Sequence, residues 1–385
     1  MAKIIGIDLG TTTSLVSYLK NGKPEIIPNK FGKRLTDSVV GIDKYGNIIV
    51  GEEAKRILNG TKIEEIKRSM GSNKVVKLGD KEYSPEEVSA EILKKLKEEA
   101  EDFLGEEIDE AVITVPAMFN SIQKAATIRA GELAGLKVER IISEPTAAAM
   151  AYGIDNMEKY QKIIVYDFGG GTFDVSILEL DDGILDVIAT SGDNYLGGKD
   201  IDEILIKNIP VKIEDDVEKI KLKLEVEEAK KRLSTLMGTD IIVPELNIDY
   251  ELKREKFEEL VSPLVNKTVD FIDKALSSAK LKREDIDVVL LVGGTTRIPL
   301  VQETLKNIFG SKVKKFGDPQ EAVALGAGVQ AGIKSSEISS EDGLIITDIC
   351  NYSLGVASIG EYQGIIMPDT FSVIIPKNSN LPCTK

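Results

Sequence analysis

A sequence motif that occurs twice constrains the fold of this chain more than any other feature. Each copy has an apolar strand that ends in Asp, then one apolar residue, a turn rich in Gly and Thr, and a second apolar strand. The first copy contains Asp8 and the second contains Asp167. Later in each half comes another buried strand, at residues 112–116 and at residues 288–292. Repetition of a structural unit predicts two similar lobes that face one another.

Helix and strand patterns alternate through most of the chain, which predicts an α/β fold. The chain opens with a predicted antiparallel meander of strands at residues 3–9, 15–19 and 25–28. The remaining patterns predict strands at residues 111–115, 163–167, 175–180 and 288–292, and helices at residues 120–134 and 146–152.

Two further helices are predicted from their composition and ends. Ser84, Pro85 and Glu87 match a capping box with Pro in the first turn, and Gly105 provides a stop. The apolar face of this helix is expected to contain Val88, Ile92, Leu96, Phe103 and Leu104. Residues 211–232 alternate locally like a strand, but their Glu, Lys and Ala content favours a helix, with Val217, Ile220 and Leu224 on one face.

Composition disfavours several function classes. The 385 residues include no His and no Trp, so His-based catalysis and His-ligated metals are excluded. A net charge of -15 disfavours nucleic acids and anionic membranes as partners. Cys350 and Cys383 form no Cys-x-x-Cys pair, which disfavours zinc, and a reducing cytoplasm is the expected location. We expect no signal peptide and no membrane span.

The two repeated turns are candidate phosphate sites, because their backbone N–H groups and hydroxyls could surround a phosphate. The first turn consists of Gly10, Thr11, Thr12 and Thr13, and the second of Gly169, Gly170, Gly171 and Thr172. Asp8 and Asp167 would supply oxygen ligands to Mg²⁺ through water. Either turn alone also fits an ordinary Gly-rich connection, whereas the pair is more specific.

A third Gly-rich segment follows the strand at residues 288–292. It contains Gly293, Gly294, Thr295 and Arg297, and it leads into a helical segment. Backbone groups at a helix start could hold an adenosine and its phosphates. An ordinary strand-to-helix connection explains the local sequence equally well.

Five motifs in order resemble the ATPase domain of the DnaK family of heat-shock chaperones. They are Ile7-Asp8-Leu9-Gly10-Thr11-Thr12, Ile113-Thr114-Val115-Pro116-Ala117, Glu144-Pro145-Thr146-Ala147-Ala148-Ala149, Asp167-Phe168-Gly169-Gly170-Gly171-Thr172-Phe173-Asp174 and Leu291-Val292-Gly293-Gly294-Thr295-Thr296-Arg297-Ile298-Pro299. The resemblance implies an actin-like ATPase fold, with two duplicated lobes around a nucleotide cleft and a short β-rich C-terminal tail. It also implies ATP or ADP with Mg²⁺, and K⁺ as an additional cation.

Site roles follow from the same resemblance. Lys67 matches the catalytic lysine, and Glu144 matches the acid that positions Mg²⁺ and the attacking water. Asp8 and Asp167 match carboxylates around the metal, and Thr172 matches a residue near the γ-phosphate. The remaining nucleotide contacts are expected from the two repeated turns and from Gly197, Gly198, Glu227, Lys230, Lys231, Ser234, Gly293, Gly294, Thr295 and Arg297.

The sequence departs from the family pattern at several positions. Lys231 stands where an arginine usually covers the base, and Arg232 is an alternative for that role. The other differences are Thr13 for Asn, Met118 for an aromatic residue, Gln320 for an acid, Lys124 for the arginine that works with Pro116, and Asn351 for Pro. Arg140 and Asp348 match positions involved in linker coupling, so coupling is expected to be less secure than ATP binding.

The resemblance divides the chain into four parts. Residues 1–160 are lobe I, and residues 161–334 are lobe II with a final helix that packs back towards lobe I. Residues 335–348 are an interdomain linker, and residues 349–385 are an incomplete start of the substrate-binding β domain. Residues 70–84 are compact and residues 211–253 are shortened, so docking of an exchange factor is in doubt. We expect the chain to be a fragment of a longer protein.

The implied function is ATP hydrolysis that controls the binding of unfolded polypeptides. The implied partners are client polypeptides, a J-domain co-chaperone and a GrpE-like nucleotide exchange factor. Two alternatives share the fold: an actin-like filament subunit and a small-molecule kinase. The predicted linker and β tail argue against a filament subunit, and no motif for an acceptor pocket supports a kinase.

Overall fold

Two mixed β-sheets repeat the same arrangement of strands in a computed structural model of the chain. The structure describes residues 3–58, 61–156, 159–211, 213, 215–338, 344–362 and 365–381. In each sheet the first strand pairs antiparallel with the next strand and parallel with a strand from later in the same half. Among the described residues, no helix has both the length and the apolar character that crossing a bilayer requires.

The elements of the first half, in chain order, are β1 (Ile4–Asp8), β2 (Thr13–Lys20), β3 (Lys23–Ile27), β4 (Thr36–Asp37), β5 (Val40–Ile42), β6 (Ile48–Val50), α1 (Glu52–Lys55), β7 (Lys62–Ile63), β8 (Val76–Leu78), β9 (Lys81–Tyr83), α2 (Pro85–Leu104), β10 (Glu110–Val115), α3 (Ser121–Leu133), β11 (Lys137–Ser143) and α4 (Glu144–Gly153). Its main sheet has the order β11-β10-β1-β2-β3, with β4 paired to β2.

The second half continues with β12 (Gln161–Phe168), β13 (Phe173–Asp181), β14 (Ile184–Asp193), α5 (Gly198–Asn208), α6 (Asp216–Arg232), β15 (Gly238–Val243), β16 (Ile248–Lys253), α7 (Arg254–Ala279), β17 (Val288–Val292), α8 (Pro299–Phe309), β18 (Val313–Lys314), α9 (Ala322–Lys334), β19 (Ile345–Ile349), β20 (Leu354–Tyr362), β21 (Ile365–Ile375) and β22 (Asn380–Leu381). Its main sheet has the order β18-β17-β12-β13-β14-β19-β22.

The strand registers confirm the duplicated fold. Ile7 lies opposite Ile113 in the parallel pair β1–β10, and Asp167 lies opposite Val292 in the parallel pair β12–β17. The next parallel neighbours, β11 and β18, occupy equivalent outer positions. Each half therefore places its Asp and its Gly–Thr turn at the same end of its sheet, which is what the sequence repeat predicts.

Helices α4 and α9 form a core that the two sheets share. One apolar cluster includes residues of β1, α4, β12, β17 and α9, such as Ile4, Ala147, Val165 and Ala327. Separate clusters fill each half, one around Ile5 and Leu93 and the other around Phe168 and Phe257. The helix α9 follows the second half in sequence, yet it packs on β1 and β2 of the first.

Local signals determined the helix ends, but two predicted faces were wrong. Ser84 and Glu87 form the capping box of α2, and Gly105 ends the helix in a left-handed conformation at φ 72°. Phe103 is not part of the buried face, since it is 49% exposed and lies edge-on against Tyr18. Helix α6 begins later than predicted, and its buried residues are Leu222, Val226, Glu227 and Ala229 rather than Val217, Ile220 or Leu224.

The end of the predicted linker forms a strand. Residues Ile345 to Thr347 pair in parallel with Ile184 to Asp186 of β14, so β19 extends the second sheet. The predicted linker residues 339–343 and Cys383 lie outside the described residues. Asn351 donates a hydrogen bond to the carbonyl oxygen of Ala117, and Tyr352 donates one to that of Met118. Within the described part of the chain, no hydrogen bond or ion pair joins Arg140 to Asp348.

The hairpin β20–β21 exposes large apolar side chains. Val356 and Val373 are each about half exposed, Phe371 is 58% exposed and Ile359 is 79% exposed. A two-stranded hairpin cannot bury both of its faces by itself. Within the described residues, these apolar side chains of the hairpin therefore remain exposed.

Gly326 is the position where α9 approaches α4 most closely. A Cβ atom at Gly326 would overlap the carbonyl oxygen of Ala147, so the helices would have to move apart. We expect Gly326→Ala to lower the free energy of unfolding by at least about 2 kcal/mol, because overpacking a rigid core is costly. Urea denaturation followed by circular dichroism measures this. Gly238→Ala is the control, since its nearest neighbour is a carbonyl oxygen 3.8 Å away; equal stability of both variants would contradict the prediction.

Candidate active site

One cavity of about 840 Å³ contains almost every residue that the sequence predicts for the site. The predicted residues in its lining are Asp8, Gly10, Thr11, Thr12, Thr13, Lys67, Glu144, Asp167, Gly169, Gly170, Thr172, Gly198, Glu227, Lys230, Lys231, Ser234, Gly293, Gly294, Thr295 and Arg297. Gly171 and Gly197 do not line the cavity. They lie behind it, where the carbonyl oxygen of Gly171 accepts hydrogen bonds from Arg68 and the N–H of Gly197 donates to Asp200.

The two repeated turns meet at one end of the cavity. The β1–β2 turn and the β12–β13 turn are so close that a Cβ on Gly170 or Gly171 would overlap the side chain of Thr12 or Thr11. Ser38 fixes the first turn, because its hydroxyl donates to the carbonyl of Gly10 at 2.8 Å. Glycine is required at these positions for the approach of one backbone to the other. The result is a gap lined by backbone groups and Thr hydroxyls from both halves.

A buried cluster of charged side chains lies beside the turns. Lys67, on the 3-10 helix Ile66–Ser69, forms an ion pair with Glu144, the first residue of α4. Asp8 ends β1 and accepts a hydrogen bond from the Thr114 hydroxyl at 3.1 Å. Asp167 lies near the end of β12 and is buried. Strands and helices from both halves thus direct one lysine and several carboxyl groups to a single point.

Asp174 belongs to this cluster, although the sequence analysis assigned it no role. Its side chain is 1% exposed and accepts a hydrogen bond from the N–H of Ala117 at 3.2 Å, while its Oδ1 has no hydrogen-bond partner. The signal was available, because Asp174 closes the same motif that begins with Asp167. Its position opposite Asp167 in the β12–β13 pair brings the two carboxyl groups into one neighbourhood.

The carboxyl groups of the cluster are difficult to ionise together. Burial, reinforced by the nearby charge of Glu144, raises the pKa of Asp8 to about 7 and that of Asp174 to about 8. The same two causes raise the pKa of Asp167 well above its usual value. Lys67 lowers these pKa values, but one ammonium group does not balance four carboxyl groups. The site therefore has the electrostatic character of one that accepts a further cation.

The donor set fits Mg²⁺ held largely through water. The available ligands are carboxylate oxygens, which Mg²⁺ prefers, and Mg²⁺ usually keeps several waters in protein sites. Within the ranges that the structure describes, no three acidic or Cys side chains converge closely enough to hold a metal directly. Asp8, Asp167 and Glu144 are accordingly candidates for holding the waters of the ion.

A further part of the cavity lining is built from α6 and from the 3-10 helix Gly294–Arg297. Lys231 forms ion pairs with Glu227 at 2.9 Å and Glu228 at 2.8 Å. Burial alone would raise the pKa of Glu227, but the charges of Lys55 and Lys231 lower it to about 2. Lys230 is bound to Asp202 at 2.7 Å and to the carbonyl of Gly198 at 2.8 Å, and its burial lowers its pKa.

The alternative role for Arg232 is wrong in this structure. Its guanidinium donates to Glu225 and Thr239, on the side of α6 away from the cavity, and it is absent from the lining. Lys231 lines the cavity instead, together with Arg297, whose Nη2 lies 2.6 and 2.7 Å from the two carboxylate oxygens of Asp318.

Cross-cavity contacts could not be predicted from local sequence. Lys55 of α1 reaches Asp37 at 2.9 Å in its own half and Glu227 at 3.3 Å in the other half. Arg68 reaches the second repeated turn in the same way. Neither residue belongs to a sequence motif that would have singled it out.

The chain has clear similarity to known proteins. A family model described as "Hsp70 protein" matches residues 4–384. The chain is 47% identical over 404 residues to a chaperone protein DnaK from Thermosipho melanesiensis, an alignment that covers 99% of this chain. It is 46% identical over 405 residues to a chaperone protein DnaK from Thermotoga neapolitana, again over 99% of this chain. The chain spans 66% of the length of the first relative and 67% of the second.

Asp174 predicts a pH dependence of stability. Its pKa rises from 3.8 to about 8 on folding, so the folded state holds the proton more tightly than the unfolded state. This contribution to the free energy of unfolding is fully present below about pH 4 and is lost as the pH rises through about 8. Asp174→Asn does not titrate. We therefore expect the stability of the parent relative to this variant to decrease by up to about 1.4 kcal/mol per pH unit over that window.

Urea titrations in EDTA without nucleotide measure this difference. Asp181→Asn, which alters an exposed carboxyl group at the end of β13, is the control and should show no such window. A parent-to-variant difference that is constant from pH 4 to 8 would show that Asp174 is ionised normally in the folded chain.

Proposed function

This chain belongs to the Hsp70 family, and on that premise we propose that it binds Mg²⁺ and ATP, hydrolyses ATP to ADP and phosphate, and thereby controls an adjoining polypeptide-binding domain. One observation supports this function more than the others. Two Gly–Thr turns from duplicated sheets line one cavity side by side, and a buried lysine and several carboxyl groups lie beside them. That arrangement can grip a polyphosphate from both sides.

The proposed chemistry is transfer of the γ-phosphoryl group to water. Phosphoryl transfer depends mainly on positioning and on stabilisation of charge, so it needs no His. Lys67 would stabilise charge on the γ-phosphate, and Glu144 would orient the attacking water. Thr172 and the backbone N–H groups of the turns would donate hydrogen bonds to phosphate oxygens. Mg²⁺ held by Asp8, Asp167 and Glu144 through water would neutralise phosphate charge, and K⁺ is proposed as a second cation.

The adenosine is proposed to lie at the α6 end of the cavity. Glu227 and Lys230 would contact the ribose side, while Lys231, Ser234 and Arg297 would line the base. Gly197 and Gly198 would shape the start of α5 behind the phosphates, and Gly293 to Thr295 would present backbone groups to the adenosine. The ion pair between Lys231 and Glu227 supports this assignment, because it fixes an otherwise mobile side chain at the cavity wall.

Membership of the family is the basis for the role proposed for the C-terminal tail and for the proposed partners. We propose that residues 335–348 act as the linker, with β19 as the part that reports on the ATPase half. Client polypeptides, a J-domain co-chaperone and a GrpE-like exchange factor are the proposed partners, in the cytoplasm. The shortened segment between α5 and α7 supports reduced docking of an exchange factor, since such factors are expected to contact it. The family match over residues 4–384 disfavours the filament subunit and the kinase.

Nucleotide binding is the first test of this proposal. Isothermal titration calorimetry should show binding of ATP and of ADP in the presence of Mg²⁺, and much weaker binding in EDTA, because the phosphates would then bring uncompensated negative charge next to buried carboxyl groups. Absence of heat with Mg²⁺ and ATP would refute the proposed function as a whole.

Replacement of Lys67 is expected to affect ATP hydrolysis and ATP binding to different extents. Lys67→Ala removes a cation from the transition state, and loss of one such group typically slows the reaction by about 10²–10³-fold. ATP affinity should change far less, because backbone donors and Mg²⁺ carry phosphate binding. Single-turnover hydrolysis and calorimetry measure the two quantities.

The control for Lys67 must be an exposed lysine of the same half. Lys62 is unsuitable, since it is only 6% exposed and donates to the carbonyl of Lys55. Lys94 on α2 is 43% exposed and pairs only with Glu91 one turn away, so Lys94→Ala should behave like the parent. If Lys67→Ala also hydrolyses ATP at the parental rate, the catalytic assignment is wrong.

A further inference from the structure

We propose that Arg68 is a positioning residue: from the first half of the chain it fixes the phosphate turn of the second half, so that this turn reaches its working geometry only when the cleft is closed. The inference rests on the proposed ATPase function and adds a residue to which neither the sequence motifs nor the comparisons assign a role.

The carbonyl groups of the second turn are held one after another. The carbonyl of Gly169 accepts from the N–H of Gly198 at 3.0 Å and from the Thr295 hydroxyl at 2.8 Å. The carbonyl of Gly170 accepts from the N–H of Lys199 at 2.9 Å. These donors all belong to the second half, and they tie the turn to the start of α5. Fixing each carbonyl also fixes the plane of its peptide group, and so the direction of the next N–H.

The third carbonyl is held from across the cleft. The guanidinium of Arg68 donates to the carbonyl of Gly171 through Nε at 3.0 Å and through Nη2 at 2.7 Å. The same Nη2 donates to Asp200 at 3.0 Å, and Asp200 also accepts from the N–H of Gly197 at 2.6 Å. Arg68 therefore reaches both the turn and the start of α5. The peptide group that it fixes leads directly to Thr172.

Arg68 is well placed to respond to closure because it is next to Lys67. Both residues lie on the short 3-10 helix Ile66–Ser69. Lys67 forms the ion pair with Glu144. A γ-phosphate that attracts Lys67 would draw the same helix towards the second half. This movement would bring the guanidinium of Arg68 to the carbonyl of Gly171. Contact of Lys67 with the γ-phosphate and the working conformation of the second turn would therefore be established together.

A second set of contacts holds the same segment. Glu65, immediately before the 3-10 helix, has a left-handed backbone at φ 58°, which is unfavourable for a residue with a side chain. Lys199 of α5 and Lys223 of α6 approach its carboxylate at 3.8 and 3.4 Å. Contacts from the second half thus help to maintain this conformation, and they also depend on a closed cleft.

Arginine is the residue that this geometry requires. Its rigid fork can supply two N–H groups to one carbonyl and share one of them with a carboxylate, whereas the ammonium of lysine is a point charge without that fork. A side chain that only contributed positive charge near the phosphates would work equally well as lysine. This difference provides the test.

The experiment compares Arg68→Ala, Arg68→Lys and the control Arg129→Ala. Arg129 is 63% exposed on α3, and among the described residues its ion pair is with Glu132 one turn away. Single-turnover hydrolysis at saturating Mg²⁺ and ATP reports on turn geometry, and displacement of a fluorescent ADP analogue reports on cleft opening. Small misplacements of reacting groups can cost about 10²-fold in rate. We expect that loss for Arg68→Ala, with ADP release roughly tenfold faster by the same loosening of the cleft.

Arg68→Lys should remain within about tenfold of Arg68→Ala in hydrolysis rate, since it restores charge without the fork. Asp200→Asn keeps an acceptor for Gly197 but weakens the pair with Arg68. Its effect on the rate should therefore be smaller in the Arg68→Ala background than alone, as expected of residues that act as a unit.

Two results would overturn the inference. One is parental hydrolysis by Arg68→Lys. The other is an Arg68→Ala variant that melts at a lower temperature but hydrolyses ATP at the parental rate, which would make the contact merely structural. If the parent itself fails to bind Mg²⁺ and ATP, the proposed function fails instead, and the two failures are distinguishable.

Discussion

Lys67 and Glu144 form a buried ion pair, and the cost of burying charge explains much of what surrounds it. Taking an ammonium and a carboxylate out of water is expensive, and their attraction offsets the cost only if neighbouring groups are well arranged. Here the neighbours are further carboxyl groups, whose pKa values rise because burial, reinforced by the charge of Glu144, disfavours their ionised forms. An apolar core could have taken the place of this cluster at lower cost. On the proposed function, the free energy of these charged groups would be recovered when a cation and a polyanion bind.

The shared core of α4 and α9 supplies the rigidity that such a cluster needs. Glu144 begins α4, and α4 packs against α9 through the contact of Gly326 with the backbone of Ala147. A displacement of α9 would therefore be transmitted to Glu144 within one helix turn. Since α9 also packs on β1, which carries Asp8, the same helix supports two members of the cluster.

The sequence predicted what is decided locally and by repetition. The capping box at Ser84, the left-handed stop at Gly105 and the paired Asp–Gly–Thr turns each depend on a few neighbouring residues, and the structure contains all of them. Contacts between residues that are distant in sequence could not be predicted. Arg68 with Gly171, and Lys55 with Glu227, are joined because the two halves of the chain meet at the cavity. Phe103 shows the converse, since its helical position was right, but contact with Tyr18 covers only part of it and it stays 49% exposed.

The pairing of β19 with β14 has a consequence for how this part of the family can diverge. The strand is held by main-chain hydrogen bonds, and the side chain of Ile345 is 59% exposed. Contacts of this kind specify a conformation rather than an amino acid, since every residue except proline carries the same donor and acceptor. Substitutions at exposed positions of β19 such as Ile345 can therefore accumulate without loss of attachment, provided that proline is avoided at the bonded positions. Thr347, which donates to Asp186, and the buried Ile349 are more constrained. The strength of the pairing between β19 and β14 can then differ between relatives, while its position on the sheet stays the same.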